Sequence, residues 1–200
     1  MPARPAPPRF DAAFFARYYG DPRTRVADAT DAARLAGLIG GVLDYLGVRV
    51  RRILDAGCGI GLLRAPLLAR FPGAAYEGLE VSEYLCARHG WRQGSLADFA
   101  APRPYDLVVC HDVLQYLDER TAARSLANLA RLTDAALYFS VLTRRDWHQA
   151  ADQSRTDRNV KLRSGDWYRR RLRRGFRHVG CGVHLVRRID PILWELEAPR

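Results

Sequence analysis

Two hundred residues, 48% of them hydrophobic, suffice for one domain with a real core, and no apolar run approaches the roughly 18–20 residues of a membrane span. The formal charge of +10 comes from 32 basic and 22 acidic side chains, with Lys161 the only lysine, and it reads as an arginine-biased solvated surface before it reads as a nucleic-acid footprint. Cys58, Cys86, Cys110 and Cys181 are scattered with no C-x-x-C, which argues against a metal site and a disulfide framework and for a reducing, cytoplasmic setting.

The opening stretch, residues 1–9, is a Pro- and Ala-rich lead-in without the apolar segment of a secretory signal, and is expected to be disordered. An N-terminal helical cover is expected over 10–47. Its first part sets Phe14, Phe15, Tyr18 and Tyr19 at helical spacing. Its second part repeats Leu35, Leu38, Ile39, Val42, Leu43 and Leu46 on one face, with Asp28 or Thr30 as cap and Gly47 as stop. From 48 to 142 the period changes. Short apolar runs ("RILDA", "AAYEGLEV", "YDLVVCH", "AALYFSVLT") alternate with helical stretches, and "WRQG" supplies a weak third strand. That alternation predicts an α/β fold, a doubly wound and mostly parallel sheet. A long connection, 143–165, follows the fifth strand. Over 166–200 a last helix buries Tyr168, Leu172 and Phe176, leaving the arginines of "RRRLRRGFR" to solvent. "HVGCGVHLV" and "PILWELE", joined by "RRID", then suggest an antiparallel hairpin at one edge. No internal repeat or linker divides the chain.

The stretch "ILDAGCGIG" gathers three glycines behind the first strand. Ligands of open α/β sheets bind beyond the carboxyl ends of the strands, and glycines there let a ligand lie against bare backbone. Glu80, about twenty residues on at the end of the next strand, can accept hydrogen bonds from both hydroxyls of a ribose. Gly57, Gly59 and Gly61 give G-x-G-x-G where a dinucleotide fingerprint needs G-x-G-x-x-G, and Leu62 stands at the place of that third glycine. Asp55, two residues before the glycines, would repel a pyrophosphate but suits a ligand carrying an ammonium and a sulfonium. An NAD-dependent oxidoreductase is therefore the weaker reading.

"LDAGCGIG", "LEVSEY", "GSLADF", "YDLVVCHDVLQYLD" and "ALYFSVL" resemble, in order and spacing, the successive motifs of the class I S-adenosylmethionine-dependent methyltransferases. The resemblance implies a seven-stranded Rossmann-like sheet and S-adenosylmethionine as cofactor, with S-adenosylhomocysteine as product. It implies that Gly57, Cys58 and Gly59 line the methionine portion and that Asp55 holds its amino end. Glu80 would bind the ribose, Val81 pack on adenine, and Ser95 and Leu96 flank its edge. Many relatives carry an acid where this chain has Ser95, so Asp98 is a substitute for the adenine contact or else a turn cap. His111 would lie beside the transferable methyl, with the backbone of Cys110 and His111 facing the cofactor, and Tyr18 or Tyr19 would contact the methionine end from the N-terminal cover. His111, Asp112 and His148 are candidate bases and Tyr116 a candidate for orienting the acceptor. The aromatic and polar loop 143–165 is expected to form a lid over the acceptor.

An aminopurine or cytosine acceptor is disfavoured, because "CHDV" is unlike the [DNS]-P-P-aromatic motif and Cys110 lacks a preceding proline. A small-molecule acceptor methylated on O or N is expected. RNA and a non-catalytic cofactor-binding protein of the same fold remain as alternatives, and no oligomeric state is implied.

Overall fold

The computed structural model describes residues 10–191; the lead-in and nearly all of "PILWELE" lie outside them. Seven strands form one sheet: β1 (Arg52–Ala56), β2 (Ala75–Glu80), β3 (Arg92–Gln93), β4 (Tyr105–His111), β5 (Thr133–Ser140), β6 (Phe176–Gly180) and β7 (Val183–Val186). Their order is β3-β2-β1-β4-β5-β7-β6. The first five run parallel, and β7 pairs antiparallel with both β5 and β6. The order reverses between β1 and β4, which opens a crevice at their carboxyl ends.

The helices are α1 (Ala12–Phe15), α2 (Ala29–Tyr45), α3 (Arg64–Arg70), α4 (Glu83–His89), α5 (Glu119–Leu132), α6 (Arg144–Gln149) and α7 (Gly165–Leu172). Helix α1 runs on into a π turn, Ala16–Gly20. Asp28 caps α2 in a capping box with Asp31, and Gly47 ends it at φ +67°. Ser164 caps α7.

Alternation along the strands builds two cores. Ile53, Leu107, Val109 and Tyr138 face α2 and α3, meeting Ile39, Leu43 and Leu67. Leu54, Val108, Leu137 and Phe139 face α5 and α7, meeting Leu126, Leu129, Tyr168 and Leu172. The expected stripe on the last helix is there, although its third member, Phe176, already belongs to β6.

The expected pairing of "HVGCGVHLV" with "PILWELE" falls on residues outside those described, and the hairpin among the described residues lies before it. It closes inside "HVGCGVHLV", where Gly180, Cys181 and Gly182 take φ of +122°, +46° and +79°. Two glycines around one residue let the chain reverse there, so both strands precede "RRID". Among the described residues no helix is long and apolar enough to cross a membrane.

Candidate active site

The crevice begins at the end of β1. Gly57 turns at φ +82° and Gly59 at +53°, backbone that only glycine adopts cheaply. Their reasons differ. A Cβ on Gly57 would stand 2.4 Å from Val113 Cγ2, whereas a Cβ on Gly59 would meet nothing within 4 Å and would project into the cleft. The turn is pinned to β2: the N–H groups of Gly57 and Cys58 donate to the Leu79 carbonyl at 2.7 and 3.2 Å.

Glu80, 7% exposed, completes that attachment. Its Oε2 accepts from Gly59 N–H at 2.9 Å, and its Oε1 accepts from Val81 and Ser82 N–H at 2.7 and 3.0 Å. Each carboxylate oxygen has two acceptor positions, so Oε2 keeps one spare. Asp55, 3% exposed, accepts only the Tyr76 hydroxyl among these groups, at 2.7 Å. Burial, reinforced by the nearby negative Glu80, pushes its carboxyl up to about 7, against the bond from Tyr76.

Two lobes meet across the glycine turn. The larger, about 390 Å³, is bounded by Asp55, Asp31, Leu35, Ile60 and Tyr138. The smaller, about 100 Å³, lies among Phe10, Phe14, Glu80, Val81, Leu96 and Tyr116. Tyr19, Gly57, Gly59, His111 and Asp112 line both. Burial and the negative charges of Asp112 and Glu80 push the Tyr19 phenol up to about 12. The aromatic cover is held down by Ser82 Oγ, which donates to the Phe10 carbonyl at 2.6 Å. Rings pack edge to face within it, Phe10 with Phe14 at 5.1 Å and with Tyr116 at 5.2 Å.

His111 ends β4 at the junction of the lobes. Its Nδ1 lies 2.5 Å from Ser140 Oγ on β5, and its Nε2 lies 3.8 Å from Asp112 Oδ2. Asp112 takes φ +55° and donates its N–H to the Ser140 carbonyl at 3.1 Å.

Residues 54–136 match the methyltransferase domain family. That match runs from β1 through α5 into β5, the part of the sheet that carries the crevice. The chain is 30% identical over 108 residues to the ubiquinone biosynthesis O-methyltransferase of Bordetella bronchiseptica, a match covering 47% of this chain and 44% of that protein. The chain therefore spans less than half the length of this relative. Among solved structures, the magnesium protoporphyrin IX methyltransferase of Synechocystis PCC 6803 with bound S-adenosylhomocysteine superposes with a TM-score of 0.61 at 21% identity, over 88% of this chain and 94% of that one. The N-methyltransferase NodS of Bradyrhizobium japonicum, also with S-adenosylhomocysteine, gives 0.63 at 15% identity, over 90% and 100%. Both likenesses establish the fold.

Of the candidate residues, Asp55, Gly57, Cys58, Gly59, Glu80, Val81, Ser95, Leu96, His111 and Tyr116 all line one lobe or both. Four other candidates do not. Tyr18 faces outward against Gln153, Ser154 and Asp157, and Tyr19 takes the inward place. Asp98 is exposed and ion-paired with Arg124. The Cys110 side chain is fully buried on the α5 face, because strand alternation turns it away from the crevice when His111 faces in. His148 is exposed on α6, and no residue of 143–165 lines either lobe.

That connection is nonetheless tied to the domain. Lys161 N–H donates to the Gln115 carbonyl at 2.7 Å. The buried Arg163 guanidinium donates to the Leu114 carbonyl at 3.1 Å and the Tyr168 hydroxyl at 3.2 Å. Asn128 on α5 is a further supporting residue: its side-chain amide donates to the Leu96 and Phe99 carbonyls at 2.7 and 2.8 Å, which fixes the loop bordering the smaller lobe. Among the described residues no group of three or more His, Cys, Asp or Glu could hold a metal.

Proposed function

We propose that this chain binds S-adenosylmethionine across the two lobes and transfers its methyl group to an oxygen or nitrogen of a small-molecule acceptor. The observation that carries the reading is a pair of buried carboxylates on neighbouring strands with opposite needs. Asp55 has lost its hydration without gaining a cation among the described residues, and an amino group in the larger lobe supplies one. Glu80 is held by three backbone N–H groups and keeps one acceptor position for a ribose hydroxyl. The rings of Phe10, Phe14 and Tyr116 give the smaller lobe the flat apolar walls that a purine needs. Open space over Gly59 leaves the backbone bare for the join between the two ends.

When bound, S-adenosylmethionine supplies an electrophilic methyl group. The chain contributes alignment, exclusion of water by the aromatic cover, and a proton acceptor at the junction, for which His111 is best placed. The named relatives include an O- and an N-methyltransferase, which supports leaving the acceptor atom between those two. The arginines of α7 are compatible with a small-molecule acceptor, since Tyr168 and Leu172 set them on the outer face.

Calorimetry on the whole chain tests the cofactor. S-adenosylmethionine and S-adenosylhomocysteine should bind at about micromolar affinity and NAD should not, and Glu80→Ala should weaken binding by roughly 1.5–3 kcal/mol. Heat with NAD and none with either sulfur ligand would overturn the reading. A metabolite extract and total RNA, each incubated with methyl-labelled cofactor, test the acceptor. Label in a small molecule supports the proposal; label in RNA, or binding without any transfer, replaces it by one of its alternatives.

A further inference from the structure

Three elements converge at the junction of the lobes in a way that the cofactor site does not require. The end of β4 brings His111, the end of β5 brings Ser140, and the left-handed turn after β4 brings Asp112. His111 and Ser140 are direct partners in the parallel register of β4 and β5. Their side chains meet at 2.5 Å, Nδ1 to Oγ. A serine hydroxyl at that distance can either accept from Nδ1–H or donate to a bare Nδ1. Only the first arrangement leaves Nε2 without a proton, as a base facing the cleft requires.

On the reading that this chain is a methyl-transferring enzyme, we propose that Ser140 is a positioning residue. It holds His111 in the Nδ1–H tautomer, with Nε2 bare toward the cleft, and Nε2 takes the acceptor's proton. In that step the acceptor's lone pair forms a bond to the methyl carbon as the carbon–sulfur bond breaks, its electron pair going to sulfur. The proton lost by the acceptor passes to Nε2. The resulting imidazolium keeps Nδ1–H on Ser140 Oγ and turns a new Nε2–H toward the Asp112 carboxylate, 3.8 Å away. Asp112 reaches that place because its backbone sits at φ +55°, anchored by its N–H on the Ser140 carbonyl. Ser140 thus fixes the ring through its side chain and the counter-charge through its main chain. Tyr19 from the π turn also lines the junction, and Asp55 from β1 and Tyr138 from β5 line the larger lobe beside it.

The tautomer can be read without knowing the acceptor. Long-range proton–nitrogen correlation on ¹⁵N-labelled whole chain, above pH about 8.5 so that imidazoles are neutral, reports which ring nitrogen of His111 carries the proton. The spectrum is taken with and without S-adenosylhomocysteine. The expected result is Nδ1–H in the wild type and in Ser140→Thr, and a mixture with at least half Nε2–H in Ser140→Ala. Stabilisation of each variant by S-adenosylhomocysteine in a melting experiment checks that it is folded. Wild type in the Nε2–H form overturns the proposal even if Ser140→Ala does not fold, and so does a folded Ser140→Ala with an unchanged tautomer. Failure of the methyltransferase reading is seen separately: S-adenosylhomocysteine would then move neither the melting temperature nor the His111 signals, whatever the tautomer.

Discussion

Asp55 is a buried acid with no positive partner among the described residues. Its folded carboxyl titrates at about 7 against an ordinary value of 3.8. Between those values the folded chain holds a proton that the unfolded chain has released. The stability contributed by that proton is fully present below the unfolded value and is lost as pH rises through the folded one. Asp55→Asn keeps an acceptor for the Tyr76 hydroxyl and removes the charge. It should therefore raise the melting temperature of the free protein at pH about 8 by several degrees, with the gain shrinking toward pH about 4. The same change should weaken S-adenosylmethionine binding about tenfold or more at pH about 8. It should also abolish the rise in affinity expected of wild type between pH about 6 and 8. Melting curves and calorimetry across that range check both signs; an Asp55→Asn protein that is less stable at alkaline pH and binds as wild type would show that Asp55 already has a cation.

At the scale of the element, the support beneath the smaller lobe is testable. Helix α5 reaches the 95–99 loop through Asn128, 2% exposed, whose amide serves the carbonyls of Leu96 and Phe99. Asn128→Ala leaves two buried carbonyls unpaired and should cost about 2–4 kcal/mol. Urea unfolding should show a lower midpoint at unchanged slope, and cofactor affinity should fall as the loop loosens. An unchanged midpoint would mean that water replaces the amide.

The glycine turn, Glu80 and the helix caps were legible in the sequence because each is a local solution: a few residue types at fixed spacing satisfy a backbone demand. Tyr18 and Tyr19 were not resolved, because the cover passes from α-helix to a π turn at Ala16. The wider turn shifts the phase, so a 3.6-residue period no longer tells which ring faces inward. Ser140 was hidden for another reason. It sits in an apolar run, and its partner His111 is 29 residues earlier, joined only by the register of two parallel strands. The 143–165 connection announced itself by length, but length carries no direction, and its anchors on Gln115, Leu114 and Tyr168 bind it to the rim rather than to the lobes.

Over the whole molecule, the alternation of strands and helices determined the parallel part of the sheet, while the hairpin's exact span depended on three residues, Gly180 to Gly182. The order β5-β7-β6 has a consequence for how the chain assembles. The strand that is earlier in sequence, β6, never touches β5; it reaches the sheet only through β7. As the chain emerges from the ribosome, β1 to β5 can close while β6 still has no edge to join. Residues 176–186 are then expected to dock together, as a hairpin, once β7 has emerged. The reverse should hold at equilibrium. Native-state hydrogen exchange should find the amides of β6 and β7 opening as one unit, at a lower free energy than those of β1 and β4. Opening of β6 and β7 in separate steps would show that the hairpin is not the unit of docking.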